Sequence, residues 1–272
     1  MFRVTLPHFD KFEAWRVFAR DLASAGVPAD QVLWLDDDAE PHLFGDDPLP
    51  PAGQLPLRVS RAFLDLAKSV SFHSEAERWS LLYAALVRLQ KERGFLANPA
   101  DPMTRNFAKL AKSVRRDIHK MHAFVRFHEL PSDGPRRKFA AWFEPEHPIL
   151  QVATPFFAKR FADMDWLIAT PEGVARFDGD LRFERLNERP ELPDDTSHAL
   201  WLTYFANIFN PARIKINAMQ SEMPRKYWKN LPETQLIPEM LAQAPERLRK
   251  MHEAGASIAP KRAEKITRRL RS

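Results

Sequence analysis

The spacing of apolar residues changes at His122, and this change constrains the fold more than any other feature of the chain. Before it, apolar residues three and four positions apart predict an amphipathic helix from about Met103 to Lys120; they are Phe107, Leu110, Val114, Ile118 and Met121. After it, apolar and polar residues alternate in Ala123–His128 and again in Lys138–Phe143, with a turn rich in Pro, Asp and Gly between them. This alternation predicts a β-hairpin.

The segments after the hairpin predict a second pair of strands. We expect a helix over Pro155–Asp163, followed by strands at Trp166–Thr170 and Gly173–Phe177 that extend toward Leu181–Phe183. Elements in β-β-α-β-β order favour an antiparallel sheet packed by a helix. The sequence therefore predicts an α+β fold that is predominantly helical, with one antiparallel sheet.

The remaining segments predict further organisation. Two strands, Val4–Leu6 and Val32–Leu35, flank a helix and predict a small N-terminal α/β unit. Ser74 and Glu77 have the spacing of a capping box, which separates two helices within Arg58–Arg93. Further helices are expected at Thr196–Phe209, Pro211–Met219, Pro224–Asn230 and Leu236–Ala254. We expect four parts: the N-terminal unit 1–40, a loop rich in Pro and Asp 41–57, the main α+β domain 58–254 and a basic mobile tail 255–272.

Several classes of protein are disfavoured by what the sequence does not contain. The 272 residues include no Cys, which excludes disulfides, thiolate metal sites and a Cys nucleophile. Neither a Gly-rich phosphate loop, a nucleophile elbow nor a His-Glu-x-x-His helix is present. No apolar run approaches the roughly 20 residues that span a bilayer, and the N-terminus does not have the pattern of a signal peptide. We therefore expect a cytoplasmic protein that does not enter a membrane.

Positive charge is concentrated in two blocks. Residues 105–138 contain ten Lys and Arg against three Asp and Glu, and residues 245–272 contain nine against three. The two remaining regions, 1–104 and 139–244, each contain eleven basic against fifteen acidic residues. Basic blocks on an otherwise acidic chain indicate a polyanionic partner, whereas the alternative is a solvated helix face and a disordered tail.

Six segments, taken in order along the chain, are informative together: Ser71–Glu75, Ile118–Phe127, Phe156–Phe161, Trp166–Pro171, Ile208–Arg213 and Glu222–Pro232. With them the chain resembles, over roughly residues 1–245, the bacterial DNA metabolism protein family, a domain of unknown function. The resemblance implies a gene neighbour that encodes a radical-SAM protein and, in some members, fusion to a family-4-type uracil-DNA glycosylase domain. It implies no catalytic residues.

The candidate nucleic-acid ligands fall into four groups. They are Arg105, Lys109, Lys112, Arg115, Arg116, His119, Lys120 and His122 on the basic helix; Lys159 and Arg160 on the next helix; Asn210, Arg213 and Lys215 at a predicted helix start; and Arg225, Lys226, Tyr227, Trp228 and Lys229. The third group either caps a helix or holds a phosphate at its free N–H groups. The fourth interleaves cations with aromatic rings, which suits backbone neutralisation and base stacking, although Trp228 could equally be a core anchor.

His119 and His122 are three residues apart and could share a metal with His73 or His128. We expect no metal, because the cations on the same helix would repel a metal ion, and we also expect no cofactor.

These patterns predict a nucleic-acid-binding factor in DNA repair or DNA metabolism, working with a radical-SAM protein and, where present, a uracil-DNA glycosylase-like protein. The helix 105–120, the segment 225–229 and the tail would hold the phosphate backbone, and Trp228, Tyr227 or Trp142 would contact bases. One alternative is an enzyme acting on DNA or nucleotides through His119, His122, Asn210 and Glu222. Another is a protein adaptor without nucleic-acid contact.

Overall fold

A computed structural model describes residues 1–37 and 48–186 continuously, and residues 223, 225–231, 234 and 236–253 in the C-terminal part. The chain divides into two compact units, 1–193 and 194–272. The predicted helices Thr196–Phe209 and Pro211–Met219 and the predicted tail lie outside the described residues. The four-part division drawn from the sequence stays a prediction.

The N-terminal α/β unit is confirmed. Strand β1 (Phe2–Leu6) pairs in parallel with β2 (Val32–Asp36), and helix α1 (Lys11–Ser24) connects them. A parallel pair needs a crossover connection, and the helix supplies it. Both strands end at the same edge, so the segment after β1 and the residues that end β2 lie side by side.

Three helices follow and share one hydrophobic core with the N-terminal unit. They are α2 (Arg61–Ser71), α3 (Arg78–Lys91) and α4 (Pro102–Phe124). The core contains large side chains that are almost completely buried: Trp15, Trp34, Phe63, Trp79, Tyr83, Phe95 and Phe107. The hydroxyl of Tyr83 donates to the carbonyl of Val27 at 2.9 Å, and burial raises the pKa of Tyr83 to about 12.

The second half of the first unit is a five-stranded sheet with one helix inserted in its sequence. The elements are β3 (His128–Leu130), β4 (Lys138–Trp142), α5 (Leu150–Arg160), β5 (Asp165–Thr170), β6 (Gly173–Phe177) and β7 (Leu181–Glu184), with the strands in sheet order β3-β4-β5-β6-β7. The predicted α+β class is confirmed. The sheet is not antiparallel throughout, however, because β4 pairs with β5 in parallel. The reason is α5, which returns the chain to the end of the sheet where β4 began.

Helix α4 is longer than the sequence predicted and displaces the first strand. It continues to Phe124, and Met121 near its end is fully buried. The prediction of a strand over Ala123–His128 was therefore wrong except at His128, where β3 begins. Helical burial of the apolar stripe outweighed the short alternating pattern after it.

The predicted capping box at Ser74 was also wrong, because Ser74 bonds to a histidine instead. Helix α3 begins at Arg78, and the Ser74 N–H donates to Nδ1 of His147 at 3.3 Å. The other ring nitrogen of His147, Nε2, therefore carries the hydrogen and donates to the Ser113 hydroxyl at 2.8 Å. The backbone N–H of His147 donates to the buried carboxylate of Asp117 at 2.9 Å. His147 lies in the loop before α5, and its hydrogen bonds connect this loop to the middle of α4 and to the turn before α3.

In the second unit, a 3₁₀ helix covers Arg225–Asn230 and helix α6 covers Ile237–Glu253. Both agree with the helices predicted there to within one residue at each end. No helix among the described residues is long and apolar enough to cross a membrane.

Arg78 is the buried cation that connects the two halves of the N-terminal core. Its guanidinium donates to the carbonyls of Ser71 at 3.0 Å and Glu75 at 2.9 Å, and it lies 3.5 Å from a carboxylate oxygen of Asp36. Only 3% of the residue is exposed. The Arg78 side chain therefore bonds to acceptor groups at the end of α2, in the turn before α3 and at the end of β2.

We expect Arg78→Met to lower the free energy of unfolding by about 2–4 kcal/mol, because the buried Ser71 carbonyl and the part-buried Glu75 carbonyl each lose a donor and Asp36 loses a charge partner. Urea denaturation followed by circular dichroism measures the change. Arg61→Met is the matched control, since Arg61 is exposed and lies 3.9 Å from Asp65, so this variant should unfold like the wild type. Equal stability of the two variants would contradict the role given to Arg78.

Candidate nucleic-acid interface

Helix α4 begins at a well-formed N-cap. The Asp101 carboxylate accepts from the N–H groups of Met103 at 2.9 Å and Thr104 at 3.1 Å, and Pro102 occupies the first helical position. These features and the absence of Gly explain a helix of 23 residues. Its apolar side packs against the core through Phe107, Leu110, Ala111, Val114 and Met121.

The opposite side of α4 carries a straight row of basic side chains, which we call the basic stripe. Its members are exposed and follow each other at spacings of four, three, four and three residues: Arg105, Lys109, Lys112, Arg116 and His119. This spacing keeps successive side chains on one helix face. At 1.5 Å per residue the stripe is about 21 Å long. Arg115 is exposed beside it.

No cation of the stripe makes an ion pair within the described part of the chain, and neither does Arg115. Several other exposed arginines differ, since each of the following has a carboxylate partner: Arg16, Arg61, Arg137, Arg176 and Arg182. The only acidic residue within α4 is Asp117, and it is buried. Among the described residues, the positive charge of the stripe therefore has no acidic partner.

Lys120 does not belong to the stripe. It is 8% exposed, and its ammonium nitrogen lies 5.6 Å from the ring centre of Phe124. Three residues separate it from buried Asp117, so both fall on the packed side of the helix. The sequence pattern placed Lys120 among the exposed cations because local spacing cannot show which flank of a helix a neighbouring element covers.

The two histidines of α4 differ in environment. His119 is exposed, whereas His122 is half-buried and its Nε2 donates to the carbonyl of Ala153 on α5 at 2.9 Å. Burial lowers the pKa of His122, the bond to Ala153 opposes this shift, and the nearby His119 adds to it. The His122 ring stacks on Phe156. In the described ranges, no three His, Asp or Glu side chains are grouped as a metal would require.

Helix α5 adds two of the predicted residues. Lys159 and Arg160 are exposed in its last turn, and within the described chain neither has an acidic partner.

The predicted residues of the second unit are only partly described. Arg225 is exposed, and its guanidinium carbon lies 5.7 Å from the Trp228 ring centre. Trp228 is half-buried and its indole N–H donates to the carbonyl of Met223 at 3.0 Å. Tyr227 is 2% exposed, so its ring is packed in the interior. The side chains of Lys226 and Lys229 lie outside the described residues, as do Asn210, Arg213, Lys215 and Glu222.

Trp142 in the first unit is also buried, and its indole N–H donates to Glu144 at 3.1 Å. Among the aromatic residues named from the sequence as possible contacts for bases, only Trp228 keeps part of its ring at the surface.

A cleft of about 390 Å³ lies where α1 begins, and the sequence did not reveal it. His8, Lys11 and Lys68 line it together with Glu172 from the turn between β5 and β6. Asp10, the residue before α1, has a φ of 56° and is held by Gln151 of α5, whose amide both accepts from its N–H at 2.9 Å and donates to its carboxylate at 3.0 Å. A left-handed conformation is uncommon for a residue other than Gly, and such residues concentrate at functional sites.

Glu172 is the most unusual group of the cleft. Burial raises the pKa of its carboxyl above 4.5, although the bond from the Leu150 N–H and the charges of Lys11, His8 and Arg78 oppose the shift. The Leu150 N–H donates to Glu172 at 3.1 Å, and the backbone carbonyl of Glu172 bonds to Nε2 of His8 at 2.6 Å. Asp36 shows the opposite balance: burial would raise its pKa, but the bond from Lys11 and the charge of Arg78 outweigh burial and lower it. A carboxyl with a raised pKa in a cleft is a candidate general acid.

Few sequence patterns pointed to this cleft. Glu172 follows Pro171 in a segment typical of a hairpin turn, and His8 lies 164 residues before it. The one available signal was the β-α-β pattern at the N-terminus, because ligands bind in crevices outside the carboxyl ends of parallel strands.

We expect Glu172→Gln to raise the melting temperature at pH 8 by a few degrees, with a smaller gain at pH 4. The folded protein binds the Glu172 proton more tightly than the unfolded chain does. The contribution of Glu172 to stability is therefore full below pH 4.5 and is lost as pH rises through the raised pKa. Glutamine keeps an acceptor for Leu150 and carries no charge.

Thermal unfolding of both proteins across this pH range measures the effect. The control is Glu184→Gln, because Glu184 is half-exposed and pairs with Arg176. It should show no gain at pH 8. A loss of stability at pH 8 in Glu172→Gln would show that the ionised carboxylate is favoured in the fold.

Comparison with known protein families identifies a family for this chain. A family model described as a domain of unknown function, DUF4130, matches residues 76–233, which is more than half of the chain. Neither a curated protein nor a solved structure matches the chain. The matched region contains α4 with its basic stripe, His147, α5 and Glu172. The chain belongs to the DUF4130 family.

Proposed function

We propose that this protein is a nucleic-acid-binding factor of DNA repair or DNA metabolism, and that the basic stripe of α4 holds the phosphate backbone. The observation that carries the proposal is the row of exposed cations that make no ion pair in the described part of the chain. Like charges three and four residues apart destabilise an isolated helix by a few tenths of a kcal/mol per pair. A polyanion removes this repulsion when it binds.

The dimensions of the stripe fit such a ligand. Phosphates of one strand of a duplex follow each other at about 3.4 Å along the helix axis. A stripe about 21 Å long therefore runs past about six of them. Lys159 and Arg160 on α5 supply further exposed cations.

The choice of DNA and of partners rests on the resemblance of the sequence to the DNA metabolism protein family. That resemblance favours a radical-SAM protein and a uracil-DNA glycosylase-like protein as partners acting together with this chain.

We expect Arg115→Ala combined with Arg116→Ala to weaken DNA binding by about tenfold or more at low salt, because each lost phosphate contact also removes a released counterion. The slope of log K against log salt should become shallower by up to about 0.9 per lost contact for duplex and about 0.7 for single strand. The melting temperature should stay the same or rise slightly, since neither arginine has a carboxylate partner among the described residues. Fluorescence anisotropy over a salt series and thermal unfolding measure the two effects.

The control is the double variant Arg176→Ala and Arg182→Ala. It removes the same charge from strands β6 and β7, where each arginine pairs with a carboxylate. DNA affinity of this control should exceed that of the α4 variant. A variant of α4 that melts much lower yet binds DNA as before would make the stripe structural and end the proposal.

A second candidate function, an enzyme acting on DNA or nucleotides, is favoured by the cleft that contains Glu172. A carboxyl whose pKa is raised by burial holds its proton more tightly than an exposed one and is suited to donate it to a leaving group. Lys11, Lys68 and His8 surround the same cleft and could hold a phosphate group. Of the residues proposed for an enzyme from the sequence, His119 is exposed and His122 is bonded to the Ala153 carbonyl, whereas Asn210 and Glu222 lie outside the described residues.

We expect millimolar deoxynucleoside monophosphates to raise the melting temperature of the wild-type protein, because a ligand that binds only the folded state stabilises it. Lys68→Gln should abolish most of this rise, since Lys68 lines the cleft but is exposed and can be replaced without disturbing the core. The double variant Arg115→Ala and Arg116→Ala should keep it. A wild-type protein whose melting temperature does not respond would exclude the cleft as a nucleotide site.

A further inference from the structure

Phe156 differs from the other large aromatic residues that the structure describes. Its side chain is 45% exposed on α5, whereas the next residue, Phe157, is buried. Among the described residues it is the one aromatic in the group of exposed large hydrophobic side chains. An exposed ring of this size needs a partner to bury it or a function at the surface.

The Phe156 ring is held in a fixed orientation. Its centre lies 4.1 Å from that of the His122 ring, with an angle of 22° between the planes, so the two rings are stacked. His122 is itself fixed by its bond to the Ala153 carbonyl, and the Phe157 ring meets Phe156 edge-on at 5.3 Å. One face of Phe156 is therefore covered, and the exposed area belongs to the other face and the edge.

Cations without an acidic partner among the described residues lie on both sides of this ring: Arg116 on α4, and Lys159 and Arg160 on α5. On α4, His122 under the ring follows His119, the last member of the basic stripe, by one helical turn. On α5, Lys159 and Arg160 are three and four residues after Phe156, so they share its side of the helix. The charged side chains of the stripe thus end at Arg116, six residues before His122, and positive charge resumes beyond the ring at Lys159 and Arg160.

We propose that Phe156, supported by His122, stacks on an unpaired base of a single-stranded nucleic acid whose backbone lies on the basic stripe. This inference rests on the proposed function and names the class of its ligand. Proteins that bind single strands combine a basic track for the backbone with aromatic rings on which bases stack. Bases of an intact duplex are stacked on each other and do not reach a flat ring at the protein surface.

The arrangement also explains why the ring is supported. A ring that is already fixed by His122 loses little conformational freedom when a base covers its free face. His122 contributes its flat surface and its position. The neighbouring cations contribute the attraction for the backbone.

The test uses fluorescence anisotropy at low salt with two labelled probes. One is a single-stranded oligothymidylate of about 20 nucleotides, and the other is the same strand paired with its complement. Phe156→Ala should weaken single-strand binding by about fivefold or more, from the loss of one stacked base, and leave duplex binding unchanged. Phe156→Trp should restore single-strand binding, because its ring also stacks. Phe156→Leu should not restore it, although leucine keeps an apolar contact with His122.

A matched control separates the loss of base stacking from the loss of any exposed apolar side chain. Val17→Ala removes another exposed apolar side chain, on α1, and should bind both probes like the wild type. Equal weakening of both probes by Phe156→Ala, or full single-strand affinity in Phe156→Leu, would overturn the stacking inference and leave the proposed function standing. A wild-type protein that binds neither probe at low salt would overturn the proposed function itself.

Discussion

The guanidinium group of Arg78 is the contact on which the N-terminal half of the structure depends. It joins the end of α2, the turn before α3 and the last residue of β2, three places that no single backbone element connects. Asp36 in turn accepts from Lys11 at the start of α1. A planar cation with five donors suits this position, because a lysine could not reach several acceptors in fixed directions. The same contacts determine the walls of the cleft that contains Glu172.

The position of α4 has a comparable cause. His147 connects the helix to two loops through Ser113, Asp117 and Ser74, and the apolar side of the helix enters the core. These contacts fix which side of α4 faces solvent. The cations of the basic stripe are therefore displayed on a rigid, packed element, and none of them stabilises the fold through an ion pair with a described residue. One side of α4 packs against the core and stabilises the fold, and the opposite side presents the positive charge to the surface.

The first unit contains two surfaces with different chemistry. The basic stripe and Phe156 form an open surface suited to a long polyanion. The cleft is concave and contains a carboxyl whose raised pKa reflects burial that its neighbours do not offset. Such a group is unfavourable for folding, and proteins retain unfavourable buried groups mainly where function uses them. The region that matches the DUF4130 family model includes the basic stripe and Glu172, whereas His8 and Lys11 lie before it.

The sequence by itself determined the elements and chemistry that depend on neighbours within a few residues. Helical spacing predicted α4 and the side of it that carries Arg105, Lys109, Lys112 and Arg116, because a helix repeats every 3.6 residues. Only the tertiary structure decided the parallel pairing of β4 with β5, the burial of Lys120, the exposure of Phe156 and the meeting of His8 with Glu172. Each depends on contacts between residues far apart in the chain, and the energies of such contacts leave no periodic pattern in the sequence.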